Sequence, residues 1–426
     1  GSPLRDLMRE RARGSGVRTV SVDGPWPNVG VVVDAMLGTG ASGAPREPVA
    51  AMVERMAELR VPRVAIDGPT GLDLQTGVTY GPAGADLTIT FGGPRRGHLL
   101  AREDVGDIVI VDIGHPAPDP EWDNLVTDST AAGWLPRLRA DDHKGTRGRV
   151  VVIGGAPGMS GAVRMAARAA LAAGAGLVHT VTSPETAEAI RRAEPDLQTL
   201  SHSLHLPLDG EALERIRAAD AVVIGPGFGR AEGRREFAGA VLRMARRAVV
   251  DADALTVFQD HAGDLAAVLP KEAPVLTPHP GEFRTLFPEF ASHIESDPWS
   301  AAAGASGRMS ATVLLKGVPT VIATEGRCTW TVAAGNPGLA TGGSGDVLSG
   351  IIGAALAAGT DPGVAAALGA QVLGRAADQA ARRVSARSLR PLDAIDAFPD
   401  LWRSWAAPRS LPHIPVLYEL MSPQRI

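Results

Sequence analysis

Gly335-Asn336-Pro337-Gly338-Leu339-Ala340-Thr341-Gly342-Gly343-Ser344-Gly345-Asp346-Val347-Leu348-Ser349-Gly350 runs from a glycine-rich loop straight into an apolar stretch, Ile351 to Ala358, that reads as a helix. Small residues let main-chain N–H groups approach an anion closely, and the start of a helix adds unpaired donors and the positive end of its dipole. The segment therefore has the makings of a phosphate cradle, with an anion hole at Gly343, Ser344 and Gly345. Asp346 falls in the first helical turn, where the dipole favours a carboxylate. Set between a phosphoryl group and a substrate hydroxyl, it has the chemistry to accept the hydroxyl proton. A bare Gly-x-Gly-Asp would serve equally well as a tight turn and a helix cap, so the reading rests on the whole string.

Upstream of this loop, short β-branched runs alternate with helical stretches. Strands are expected at Arg149 to Ile153, Leu177 to Val181, Ala221 to Gly225, Ala248 to Ala252 and Val275 to Thr277. Further strands are expected at Val313 to Leu315, Thr320 to Ala323 and Cys328 to Val332, with helices at Gly161 to Ala173 and Pro184 to Arg192. Strand after strand ends in a Gly, Pro, Asp or His cluster. In open α/β sheets ligands lie beyond the carboxyl ends of the strands, so these clusters point to one shared crevice. The first third repeats the pattern on a smaller scale, with strands at Val29 to Asp34, Arg63 to Asp67, Leu87 to Phe91 and Ile108 to Ile113, and a helix from Val49 to Leu59. The fold class is α/β with mostly parallel sheets. The Pro-rich stretch 115–120 reads as a linker, which divides the chain into domains 1–120 and 121–407. The tail 408–426 has no clear period, and no internal repeat is evident.

Composition narrows the partners. The 426 residues carry 42 Lys and Arg against 47 Asp and Glu, a net charge of −5, and 45% are hydrophobic, enough for ordinary packed cores. Without a global positive field, neither nucleic acid nor an anionic bilayer is an expected partner. Cys328 is the only cysteine, so no intramolecular disulfide or thiolate zinc site can form, and a reducing, cytoplasmic setting fits. No apolar run reaches the roughly 18 to 20 residues that a membrane crossing needs, and the first sixteen residues are too charged for a signal peptide. Gly1-Ser2-Pro3, in place of an initiating Met, has the look of a cloning remnant.

The sixteen-residue string resembles the anion-hole signature of the ribokinase-like superfamily. Its Asn-Pro-Gly-x-Ala-Thr-Gly-Gly-x-Gly-Asp-Val-Leu-Ser-Gly form is similar to the ADP- or ATP-dependent NAD(P)H-hydrate dehydratases. Other strings across residues 143–400 fit the same branch: His143-Lys144-Gly145-Thr146-Arg147-Gly148, Gly154 to Ala162, Gly225-Pro226-Gly227-Phe228-Gly229, Asp251-Ala252-Asp253-Ala254-Leu255, Thr277 to Phe283 and Leu315-Lys316-Gly317-Val318-Pro319-Thr320. The resemblance implies a three-layer α/β/α ribokinase-like domain. It assigns Asp346 as catalytic base and Ala162, Gly229, His279 and Asp346 as contacts of the hydrated dinucleotide. Lys316, Gly317, Val318, Pro319, Thr320 and Gly345 would contact ADP, and Asp253 is a further candidate. Mg²⁺ is implied on the nucleotide oxygens. The implied reaction phosphorylates the C6 hydroxyl of NADH or NADPH hydrate from ADP or ATP and then expels phosphate. Relatives form homo-oligomers, often tetramers, so a homo-oligomer is expected.

Residues Val31 to Gly114 resemble the later half of the NAD(P)H-hydrate epimerases, a partial Rossmann-like domain. The strings are Val33 to Gly40, Ala65-Ile66-Asp67-Gly68-Pro69-Thr70-Gly71-Leu72, Ala85 to Gly92 and Val111 to Gly114. This implies Asp67 as a substrate contact and Asp34 with Thr70 as potassium ligands, Thr70 replacing the usual Ser. The family's Asn-Asn-Gly-Gly-Asp-Gly phosphate loop does not occur in the chain, and Arg95-Arg96 stands where relatives commonly have Lys, so little epimerase activity is expected from this chain by itself. Two other readings stay open on the residues: a ribokinase-like kinase of a vitamin alcohol, and a nucleotide-binding scaffold without turnover.

Overall fold

The computed structural model describes residues 3–114, 122–272 and 274–406. The Pro-rich linker and the tail therefore lie outside the described residues. The chain forms two compact units, Gly1–Ala117 and Pro118–Ile426, and each is built on its own sheet.

The first unit holds four strands, β1 (Val32–Asp34), β2 (Arg63–Ile66), β3 (Leu87–Phe91) and β4 (Asp107–Val111), in that spatial order and all parallel. Parallel neighbours need crossovers, and the helix Val49–Glu58 supplies one of them, burying Val53 and Met56. A helix over Pro3–Gly14 was not expected from the sequence, although Leu4, Leu7 and Met8 fall at helical spacing; none of its residues is buried.

The second unit carries β5 (Asn124–Leu125), β6 (Arg149–Ile153), β7 (Leu177–Thr182), β8 (Gln198–Ser201), β9 (Ala221–Ile224), β10 (Ala248–Val250), β11 (Pro274–Leu276), β12 (Thr312–Leu315), β13 (Thr320–Ala323) and β14 (Trp330–Val332). They form one sheet in the order β5-β14-β13-β12-β11-β10-β9-β6-β7-β8, and β13 alone runs against the rest. The expected strands are all present within a few residues of their expected ends. The two that sequence patterning missed, β5 and β8, are the sheet's outermost strands; with one side unpaired, neither is buried along its length, so neither reads as an apolar run.

Central strands β6, β9, β10, β11 and β12 are almost wholly buried, as expected of strands covered on both faces. The covering helices are rich in Ala and Gly. Gly350 in the helix Ser344–Ala357 illustrates why: a Cβ there would stand 2.1 Å from the carbonyl oxygen of Ala166 in the helix Ser160–Ala172. The two helices pack backbone to backbone, and only glycine admits that approach. Among the described residues no helix is long and apolar enough to cross a membrane.

Candidate functional site

Strand order reverses at β6, which has β9 on one side and β7 on the other. Loops leaving the carboxyl ends of β6, β9, β10, β11 and β12 flank that switch point, where open sheets bind ligands. The anion loop starts beyond β14. Its Asn336-Pro337-Gly338 turn is pinned by Asp378 of the helix Pro362–Val384, which accepts from Asn336 Nδ2 at 3.0 Å and from the Gly335 N–H at 3.3 Å. Asn336 Oδ1 in turn accepts from the Gly338 N–H at 3.0 Å. Asp378 was not singled out from the sequence, because a lone Asp within a long helix carries no local signature.

Gly343 caps the helix Ser344–Ala357 with φ +101°, and a Cβ there would fall 2.4 Å from Met165 Cε. Glycine is thus required twice over, by backbone angle and by space. Of the expected donors, the Ser344 N–H is turned to the Thr341 carbonyl at 3.4 Å. Among the described residues, the N–H groups of Gly343 and Gly345 make no hydrogen bond, and neither does that of Asp346, a donor the sequence reading did not include. They are the orphan donors of a helix start.

Beneath Gly345 lie two side chains from neighbouring strand ends. Lys316, just after β12, donates from Nζ to Asp251 Oδ1 at 2.6 Å, and Asp251 follows β10 and is 1% exposed. A Cβ on Gly345 would meet Lys316 Nζ at 3.2 Å and Asp251 Oδ2 at 3.7 Å. The Asp251 Oδ2 atom is itself buried without a hydrogen bond. Asp253 accepts from the Gly229 N–H at 3.0 Å and from Arg230 Nε at 2.7 Å, so it fixes the loop after β9. That loop packs on the one after β6: a Cβ on Gly227 would stand 3.1 Å from Ala162 Cβ, and one on Gly229 the same distance from Ala156 Cβ.

The electrostatics converge on Asp346. Burial raises its pKa to about 7; the charges of Asp251 and then Asp253 push the same way, and Lys316 opposes them. A carboxyl held there exchanges a proton near neutral pH, as a general base should. Glu282 is shifted upward as well, by burial first, with Asp251 adding and Lys316 and His279 opposing.

His279 caps the helix Pro280–Leu286. Its Nδ1 accepts from the Gly281 and Glu282 N–H groups at 2.9 and 3.2 Å, while its own N–H donates to Glu282 Oε2 at 2.9 Å. Because Nδ1 accepts, a neutral ring carries its proton on Nε2. The side chain is 56% exposed, and its Nε2 lies 3.4 Å from Glu282 Oε1. Gly317 to Thr320 form a turn in which Thr320 Oγ1 donates to the Gly317 carbonyl at 3.1 Å, with Val318 74% exposed. Ala162, Gly229, Asp253, Lys316, Gly345 and Asp346 thus meet at one end of the sheet, joined by Asp251 and Glu282, to which the sequence reading gave no role. Asp251 and Glu282 do lie within strings picked out there; only the fold reveals that they face Lys316.

In the first unit Asp34 and Thr70 are brought together: Thr70 donates through N and Oγ1 to Asp34 Oδ2 and Oδ1, both at 2.7 Å, and the Met36 N–H reaches Oδ1 at 3.3 Å. Asp67 adopts φ +71°, rare for a residue with a side chain. Its Oδ2 accepts from the Thr39 N–H at 2.7 Å, and a Cβ on Gly38 would stand 2.6 Å from that oxygen. His98, which the sequence reading missed, is fully buried and holds the Asp67 carbonyl at 2.7 Å through Nε2; its Nδ1 accepts from the Arg95 N–H.

Comparison with known proteins matches residues 150–400 to the NAD(P)H-hydrate dehydratase family and residues 6–97 to the family described as YjeF-related protein N-terminus. The bifunctional NAD(P)H-hydrate repair enzyme of Moorella thermoacetica is 38% identical over 393 residues, covering 88% of this chain and 73% of that one. The chain belongs to the NAD(P)H-hydrate repair enzymes. The corresponding enzyme of Escherichia coli is also 38% identical, over 86% of this chain and 71% of its own. In this family the second unit is the dehydratase and the first the epimerase-related unit. Among solved structures, an ADP/ATP-dependent NAD(P)H-hydrate dehydratase from Bacillus subtilis, co-crystallised with ATP and Mg²⁺, is 26% identical. It covers 66% of this chain and 98% of its own with a TM-score of 0.58. A ribokinase-like superfamily protein from Enterococcus faecalis is 25% identical with a TM-score of 0.59, over 69% and 100%. The ribokinase-like fold expected from the sequence is thereby established for the second unit.

Proposed function

We propose that the second unit dehydrates NADH and NADPH hydrates at the expense of ADP or ATP, with Asp346 as base. The observation that carries this reading is a buried carboxyl, its pKa raised to about 7, at a helix start where the N–H groups of Gly343, Gly345 and Asp346 make no hydrogen bond among the described residues. Asp346 takes the proton of the C6 hydroxyl, and the oxygen attacks the terminal phosphoryl group, breaking its bond to the rest of the nucleotide. The C6–O bond then breaks with the electrons of the ring nitrogen, phosphate leaves, and loss of the C5 proton restores the C5=C6 double bond. The N–H groups of Gly343, Gly345 and Asp346 stabilise the transferring and departing phosphate by preorganised dipoles.

Ala162 and Gly229 lie where the dinucleotide would rest, and the half-exposed His279 ring would contact it. Lys316 and the turn Gly317-Val318-Pro319-Thr320 would hold the nucleotide. A Mg²⁺ ion bound to nucleotide oxygens would neutralise phosphate charge, and the unpaired Oδ2 of Asp251 suits one of its few protein ligands. In the first unit, Asp67 would contact the hydrate for epimerisation. Asp34, with three of roughly four acceptor positions used, retains one for potassium beside Thr70. A homo-oligomer is the expected assembly.

The test is recovery of NADH absorbance from purified NADH hydrate with ADP. Asp346→Ala should fold and bind ADP yet lose on the order of a hundredfold or more in rate. Undiminished recovery would remove Asp346 from the reaction, and turnover of vitamin alcohols but not of the hydrate would move the chain to the kinases.

A further inference from the structure

The lead-in His143-Lys144-Gly145 has no part in the reaction above, yet it borders a cavity of about 530 Å³ at the other end of the ten-stranded sheet, where β6 and β7 begin. Arg149 and Val151 of β6 pair with Leu177 and His179 of β7. Alternate residues share a face, so these four side chains form one wall. The helix Gly210–Ala218 adds Arg215 and Ala218. Gly176 admits the Lys144 carbonyl, which would stand 2.1 Å from a Cβ there, and this close approach seats the lead-in against the start of β7.

Every charged residue of the lining is basic: Lys144, Arg149 and Arg215, with His143 beside them. Arg215 pairs with Glu211 of its own helix at 2.8 Å. No such pairing holds the other two: among the described residues the side chains of Lys144 and Arg149 have no carboxylate partner. His179 is different in kind. It is 3% exposed, and its Nε2 is buried without a hydrogen bond. A buried polar atom left unbonded in a folded core carries a desolvation cost, and His179 stands in the wall of this basic cavity.

We propose that this cavity is a second binding site, separate from the Asp346 crevice, for the phosphate group of a small metabolite. A phosphate monoester offers a compact double charge to the two arginines and the lysine through charge-assisted hydrogen bonds, and the His179 ring in the cavity wall lies close enough to sense that charge. The volume exceeds that of one phosphate and leaves room for an organic substituent. Burial, and next the charge of Arg215, hold the His179 pKa below its usual value, Arg149 adding to this while Gln198 and Glu211 oppose it.

The experiment follows the ring signals of isotopically labelled His179 in the full chain during titration with inorganic phosphate and, separately, with AMP, at constant ionic strength. A saturable shift is expected, weakened at least about tenfold in the Lys144→Gln/Arg215→Gln double variant, the effect of removing charge-assisted hydrogen bonds. An unchanged Tm shows that this variant remains folded. Tighter binding of AMP identifies a nucleotide-sized ligand; equal binding identifies free phosphate. A static His179 signal, a shift reproduced by chloride, or one unaltered in the double variant would overturn the proposal.

Discussion

The raised pKa of Asp346 comes from burial and from neighbours that pull in opposite directions, and with Asp346 as the proposed base this makes the pH dependence predictable. Turnover requires the deprotonated form, so kcat/KM should rise through pH about 7. Lys316 lowers this pKa and Asp251 raises it. Lys316→Met should therefore move the rising limb of the profile to higher pH, and Asp251→Asn should move it lower. Profiles measured with NADH hydrate at saturating ADP check the pair of opposite shifts; a limb that stays put in both variants would assign it to another group. Asp346 could be singled out in the sequence because its sixteen-residue string is long. Its pKa was not, since Asp251, Asp253 and Lys316 lie 95, 93 and 30 positions away along the chain and act through space. His98 behind Asp67 was hidden for the same reason.

At the scale of elements, the helix that carries Asp346 is held by backbone proximity. Ala is a better helix former than Gly by about 1 kcal/mol, so propensity alone favours Gly350→Ala. The Ala166 carbonyl oxygen, 2.1 Å from the new Cβ, decides otherwise, because neither backbone can yield without separating two packed helices. Overpacking of this kind costs roughly 1–3 kcal/mol or more. Tm should fall by several degrees in a calorimetric scan, and turnover should fall with it as the anion loop moves. The buried strands and long Ala-rich helices were read correctly because their apolar runs are continuous. The edge strands β5 and β8 were missed because an edge needs no such run; the helix Pro3–Gly14 was missed although Leu4, Leu7 and Met8 stand at helical spacing, and it buries nothing.

For the whole molecule, two units with separate sheets predict separable activities: a fragment spanning residues 122–406 should retain ADP-driven NADH recovery, assayed beside the full chain. Loss of activity in a folded fragment would mean that the first unit is needed for the chemistry. Global stability should also carry the mark of Asp346. Its pKa is raised on folding, so the native state binds a proton more tightly than the unfolded chain, and stability from this group is complete below the ordinary value of 3.8 and is lost as pH rises through about 7. Asp346→Asn should accordingly raise Tm at pH above 7 and lose that advantage in acid, as thermal melts across the range would report.

By itself the sequence determined the α/β class, the alternation that builds the second sheet, and the loop that bears Asp346, because these depend on local periodicity and on short strings of small residues. Which carboxylates surround that loop, which helix-start amides stay free, and that a basic cavity lies at the opposite end of the sheet were decided by tertiary structure alone. Strand order places Asp251, Asp253, Glu282 and Lys316 side by side, and electrostatic interaction follows distance in space rather than separation along the chain.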